Sequence, residues 1–171
     1  MMRMLVVVAD SSPVIYLTRL GLFNMLRALH DEVIVPLAVW NEIVVGGAGF
    51  PESEELQRAV ADGWIAVRSP GESVAALGSG AATLGAGEIQ AIQLARETFA
   101  MLVTDDSEAR AFAEQLGVRV TGTVGLLIRA RNEGHVPELR PVLDRLLTET
   151  NFRMSDQLYR AALNLSGERA P

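Results

Sequence analysis

Short apolar runs alternate with stretches of helical apolar spacing along the whole chain. Residues 4–9 (MLVVVA) are too few for a helix, rich in β-branched side chains and closed by turn chemistry, so they predict a buried strand. EVIVP (32–36), WIAVR (64–68), AMLVT (100–104) and VRVTG (118–122) predict four more. Between them the apolar positions recur at helical spacing. VIYLTRL and GLFNMLRAL predict two short helices, with Pro13 suited to a first turn, and LAVWNEIVVGG predicts a third, closed by Gly46 and Gly47. Residues 51–63, 88–99 and 105–117 predict further helices, and TVGLLIRARNEG, PELRPVLDRLLTET and MSDQLYRAALNL complete the set. The stretch 69–87 is rich in glycine, serine and alanine and predicts a loop with a short helix.

Short apolar strands alternating with helices predict an α/β fold with a central, mostly parallel five-stranded sheet and helices on both faces. No repeat or linker divides the chain. A single domain over residues 1–166 is expected, with the helices of 137–165 packed on it and 167–171 a disordered tail.

In such sheets ligands bind beyond the carboxyl ends of the strands. Acids fall there: Asp10 after the first strand, Asp105 and Asp106 beside Thr104 after the fourth, Glu42 one turn into the helix after the second, and Glu88 opening the helix that leads into the fourth. Singly, each has an ordinary explanation. Asp10 could as well cap the helix near Pro13, and acids in a first helical turn are favoured by the helix dipole. Glu42 is harder to dismiss, lying among Val39, Trp40, Ile43 and Val44. Carboxylates gathered from distant parts of a chain repel one another unless a cation lies between them, and oxygen-only ligation suits Mg²⁺ or Mn²⁺.

In this order the motifs resemble the PIN-domain family of metal-dependent nucleases, VapC-like proteins among them. The resemblance rests on VVVADSSPVIYL, VPLAVWNEI, GEIQAIQLA and LVTDD, covers roughly residues 4–131 and continues in the tail. D-S-S-P, G-E-x-x-A-I, T-D-D, G-T-x-G-L-L and F-R-M-S-D-Q-L-Y resemble an uncharacterised prokaryotic PIN subgroup. The resemblance implies a single PIN-like domain and an acidic quartet of Asp10, Glu42, Glu88 and Asp106 that holds Mg²⁺ or Mn²⁺, with Asp105 an extra acid able to share the role of Asp106. It further implies that Ser12 and Thr104 orient a carboxylate or bound water. Toxin-type members commonly carry aspartate at the position of Glu88, a departure that bears on metal geometry. The implied activity is endoribonuclease action on RNA phosphodiesters, as the toxin of a toxin–antitoxin pair, with a small antitoxin protein as partner and a homodimer as the assembly. The alternative is a nucleic-acid-binding PIN-like module with weak nuclease activity or none.

Composition narrows the chemistry. The chain has 171 residues, 49% apolar and 21% charged, with a net charge of -6. It contains no cysteine and no lysine, which excludes thiol nucleophiles, cysteine-bound metals, Schiff bases and a P-loop. The glycine-rich LGSGAATLGAG therefore predicts no phosphate loop, and Ser11 and Ser12 lack the G-x-S-x-G of a hydrolase elbow. Receiver and haloacid-dehalogenase readings fail for want of a lysine and of D-x-D. His30 and His135, without a second ligand at metal spacing, predict surface histidines. Arg129 and Arg131 could reach a phosphate near the acids, although a solvated helix face is the commoner fate of such residues. With neither a secretion signal nor a span long enough for a bilayer, a cytoplasmic protein is expected, with no membrane partner.

Overall fold

The computed structural model describes residues 4–171, and residues 1–3 of the expected domain lie outside the described residues. The first expected strand forms over Val6–Ala9 (β1). Asp10 then caps α1 (Ser11–Arg19), whose first turn holds Pro13, and α2 (Met25–Leu29) turns the chain back. β2 (Glu32–Pro36) ends on a proline that cannot continue a ladder, and α3 begins at once at Leu37–Trp40.

α3 does not stay regular, contrary to the sequence expectation of a plain helix. Over Asn41–Val45 it widens into a π turn, in which the Gly46 N–H donates to the Asn41 carbonyl at 2.9 Å. α4 (Pro51–Ala61) has proline at its start, and β3 (Ile65–Arg68) follows. Two short 3₁₀ turns, Val74–Leu77 and Ser79–Thr83, occupy the glycine-rich stretch. Then come α5 (Ala86–Thr98), β4 (Met101–Val103), α6 (Ser107–Gln115), β5 (Val120–Thr121), α7 (Thr123–Asn132), α8 (Leu139–Glu149) and α9 (Asp156–Leu165).

The sheet runs β3-β2-β1-β4-β5, and every neighbouring pair is parallel. Successive strand residues face opposite sides, so one strand feeds two cores. Val7, Ala9, Val33, Val35 and Val103 pack with the layer containing α1, α2, α4, α7, α8 and α9, while Val8, Ile34 and Leu102 pack with α5 and α6. Because β1 is central, its carboxyl end lies where the strand order reverses, with β2 on one side and β4 on the other.

The last residues, expected to be a disordered tail from 167, are held in part. The Glu168 carboxylate accepts the Leu139 N–H (2.5 Å), the Arg140 N–H (3.0 Å) and the Arg131 guanidinium (3.1 Å), tying the chain end to the N-terminus of α8 and to α7.

Candidate active site

Asp10 stands at the end of the central strand and is only 6% exposed. Its Oδ1 accepts the Ser11 N–H at 2.8 Å and its Oδ2 accepts the Thr104 hydroxyl at 2.9 Å. The carboxylate is thus both helix cap and buried acid, and the sequence alternative between cap and site residue was not exclusive. Burial pushes its pKa from 3.8 up to about 6; the two hydrogen bonds pull it down, while the negative charges of Glu88 and Glu42 push it up further.

Glu42 comes from the π turn of α3. Its Oε2 accepts the Ser11 hydroxyl at 2.8 Å. Glu88 is the third residue of α5, not its first, because that helix starts earlier than the sequence spacing suggests, and its Oε2 accepts the Gly85 N–H at 2.7 Å. Asp10, Glu42 and Glu88 line one cleft of about 390 Å³, together with Ser11, Ser12 and Gly87. Gly87 has a specific consequence there. A Cβ at this position would lie 3.5 Å from Glu42 Oε2 and 3.8 Å from Asp10 Oδ1, against Val39 Cγ2 at 3.2 Å. Bare backbone keeps open the space that two carboxylates face, and their oxygen chemistry and mutual repulsion suit a hard divalent cation. Among the described residues no three acidic or histidine side chains close around a single ion position. The acids instead rest on hydrogen bonds from Ser11, Thr104 and Gly85.

The two acids after β4 are placed differently. Asp105, expected as an extra ligand, is turned away from the cleft, since both its oxygens serve the start of α7. Oδ1 accepts the Thr123 N–H at 2.8 Å and Oδ2 the Thr123 hydroxyl at 2.6 Å. Gly122 permits this approach, because a Cβ there would sit 2.8 Å from Asp105 Oδ1 and 2.6 Å from Arg110 Nη2. Burial raises the Asp105 pKa, and the Thr123 donors and the Arg110 charge oppose the rise. Asp106 is exposed and caps α6, its Oδ1 accepting the Ala109 N–H at 2.8 Å. Asp106 does not line the cleft. Its link to the cleft is indirect: the Asp106 N–H donates at 3.3 Å to the Thr104 hydroxyl that in turn donates to Asp10.

Other sequence expectations change as well. The hydroxyl that touches a site acid from the D-S-S motif belongs to Ser11; Ser12 lines the cleft. D-S-S offers two serines without saying which turns inward, and Gly87 could have been noticed only as the glycine preceding Glu88. His30 is buried, not on the surface: its Nδ1 contacts the Leu26 carbonyl at 3.0 Å and its Nε2 the Arg129 guanidinium at 3.2 Å. Burial lowers its pKa and so favours the neutral ring. Arg129 is also held by the Leu29 carbonyl (2.6 Å) and Glu133, and Arg131 by Glu168, so neither reaches the cleft.

The profile of a family described as PIN domain (DUF3368) matches residues 6–168 of this chain. Among curated proteins no sequence match is found. In structure the chain is similar to a PilT N-terminus domain protein from the hyperthermophilic archaeon Sulfolobus solfataricus P2, with a TM-score of 0.50 and 18% identity, covering 74% of this chain and 93% of that one. At that identity the likeness concerns the fold. Among the described residues no helix is long and apolar enough to cross a membrane.

Proposed function

The chain belongs to the PIN-domain family, generally a family of nucleases that use divalent metal ions, and from that premise we propose that it is a metal-dependent endoribonuclease hydrolysing RNA phosphodiesters. The observation that carries the reading is the convergence of Asp10, Glu42 and Glu88, from three separate elements, on one cleft at the reversal point of the sheet. Mg²⁺ or Mn²⁺ would be held in the cleft that these three residues line, with Asp10 and Glu42 facing the space left clear at Gly87. The bound cation would acidify water and stabilise charge on the phosphate.

The chain's own residues prepare the site. Ser11 N–H and the Thr104 hydroxyl fix both oxygens of Asp10, so the carboxylate meets a cation without rotational freedom to lose. The Ser11 hydroxyl holds one oxygen of Glu42 and leaves the other uncommitted, and the Gly85 N–H does the same for Glu88. Asp10 titrates near pH 6, so protons compete with the cation below that pH. Asp106, one hydroxyl removed from Asp10, steadies Thr104 in this reading and does not bind the ion.

On the same footing, we take the protein to act in the cytoplasm as the toxin of a toxin–antitoxin pair, a homodimer silenced by a small antitoxin protein. The alternative, a nucleic-acid-binding module with little hydrolysis, draws on the resting of the acids on hydrogen bonds without closing round one ion position. Labelled RNA incubated with the protein and Mn²⁺ or Mg²⁺, beside Asp10→Asn and Glu88→Gln variants, separates the two. Metal-dependent cleavage lost in both variants is expected. Cleavage that survives both substitutions, or needs no metal, would sink the proposed site.

A further inference from the structure

α5 ends in an unusual way. Phe99 has φ +56°, the one left-handed residue other than glycine among the described residues. The conformation is imposed by the helix stop, in which the Ala100 N–H returns to the Ala95 carbonyl at 3.0 Å and the Phe99 N–H to the Arg96 carbonyl at 3.4 Å. Glycine is the residue for that position, and a bulky side chain is disfavoured there. The strain is not repaid by packing, because Phe99 is 85% exposed. A residue that costs the fold twice, in backbone strain and in bare apolar surface, has its use outside the fold.

Its neighbours indicate what it meets. Phe99 borders a cavity of about 440 Å³ whose lining includes Arg96, Leu116, Val118 and Arg119. Arg119 is exposed and forms no ion pair among the described residues. Arg96 is held loosely, 4.0 Å from Glu72 and 3.5 Å from the Ala76 carbonyl. An exposed aromatic ring at a cavity that two arginines help to line, one of them without an ion-pair partner among the described residues, suits a planar base carrying a phosphate: the ring stacks on the base, and the arginines supply the opposite charge. The patch lies just before β4 and β5 begin, at the opposite end of the sheet from the acid cleft. In a chain of net charge -6, whose cleft repels phosphate until a cation enters, a basic and aromatic foothold at the far end serves attraction.

We infer that Phe99, Arg96 and Arg119 form a second binding site, for a nucleobase with its phosphate, which engages single-stranded RNA outside the cleft. The inference does not depend on cleavage. Fluorescence anisotropy of a labelled single-stranded RNA of about ten nucleotides, in EDTA, reads it without metal or hydrolysis. Phe99→Gly and Arg119→Gln are each expected to weaken binding about tenfold or more. Phe99→Gly is also expected to leave the melting temperature unchanged or higher, since glycine relieves the strained position, whereas a packing role would lower it. Competition by adenosine monophosphate distinguishes the sources: displacement at millimolar nucleotide assigns the site to free nucleotides, and resistance assigns it to the polymer, either result supporting the base-and-phosphate chemistry. Parent protein that does not bind the oligonucleotide, or Phe99→Gly that binds it as tightly, overturns the inference. So does a Phe99→Gly variant whose only change is loss of self-association in sedimentation, which would make the patch a contact between copies of this chain.

Discussion

β1 and β4 lie side by side, and each is followed by a carboxylate, Asp10 buried and Asp105 partly buried, yet the two acids keep different company. Asp10 is buried at a cleft that it shares with two like charges, Glu42 and Glu88, so burial first and those charges after it make its ionisation a cost to the fold. Asp105 faces the start of a helix and Arg110, and its donors satisfy both oxygens. Each acid has a donor on both oxygens; what sets Asp10 apart is that its charged neighbours are acids where Asp105 has Arg110, and that leaves Asp10 wanting a cation. Charge and burial alone do not distinguish the two, and the identity of the neighbours does.

The sharpest way to break this contrast is to neutralise each acid in turn. Asp10→Asn is expected to reduce metal-dependent RNA cleavage about a thousandfold, since charge stabilisation by a bound cation is worth several kcal/mol. A residual rate within tenfold of the parent, in a single-turnover assay, would contradict the assignment.

Next in size is the pH dependence of the metal-free protein. The folded pKa of Asp10 is raised, so the native state holds its proton more tightly than the unfolded chain, and stability falls as pH rises from about 4 through about 6. Above that window the cost of the ionised carboxylate approaches about 3 kcal/mol. Thermal melts in EDTA are expected to show this loss, and Asp10→Asn to remove most of it, raising the melting temperature at pH 8 by roughly 5 °C. Mn²⁺ should restore the parent at pH 8, do less at pH 5, and do little for the variant.

Asp105→Ala is expected to act the other way. It leaves the Thr123 N–H and hydroxyl without their partner and should cost roughly 2 kcal/mol, seen as a lower midpoint in urea, while the cleavage rate per folded molecule stays within a few-fold. The smallest effect concerns Thr104. Thr104→Val removes one donor from Asp10, so cleavage should fall about tenfold and the midpoint of its pH profile should move upward, because the lost hydrogen bond favoured the ionised form. A loss of rate with no movement of the midpoint would mean Thr104 merely packs.

Much of the frame was legible in the chain. β-branched runs ending in turn chemistry located all five strands, and the sheet order then places β1 at the centre. The last two strands came out shorter than the sequence expectation: β4 keeps Met101–Val103 and β5 only Val120–Thr121. Three of the acids read from the sequence do meet in one cleft. The pair in T-D-D could not be sorted locally. What divides them is Gly122 and Thr123, brought up by β5 and α7 to receive Asp105, a tertiary fact with no trace in the LVTDD segment. His30 was misread for the same reason, since Arg129, ninety-nine residues on, is what makes its burial tolerable.

The π turn over Asn41–Val45 has a further consequence, in time and not in space. It carries an i to i+5 hydrogen bond, from the Gly46 N–H to the Asn41 carbonyl, in place of the regular i to i+4 one, and it runs directly into Gly46 and Gly47, which restrain the backbone least. The segment that carries Glu42 is therefore expected to open more often than the strand that carries Asp10. In amide hydrogen exchange the protons of Asn41–Val45 should be replaced well before those of Val7 and Val8, and a divalent cation should slow them selectively. Asp10 is then the fixed jaw of the cleft and Glu42 the moving one.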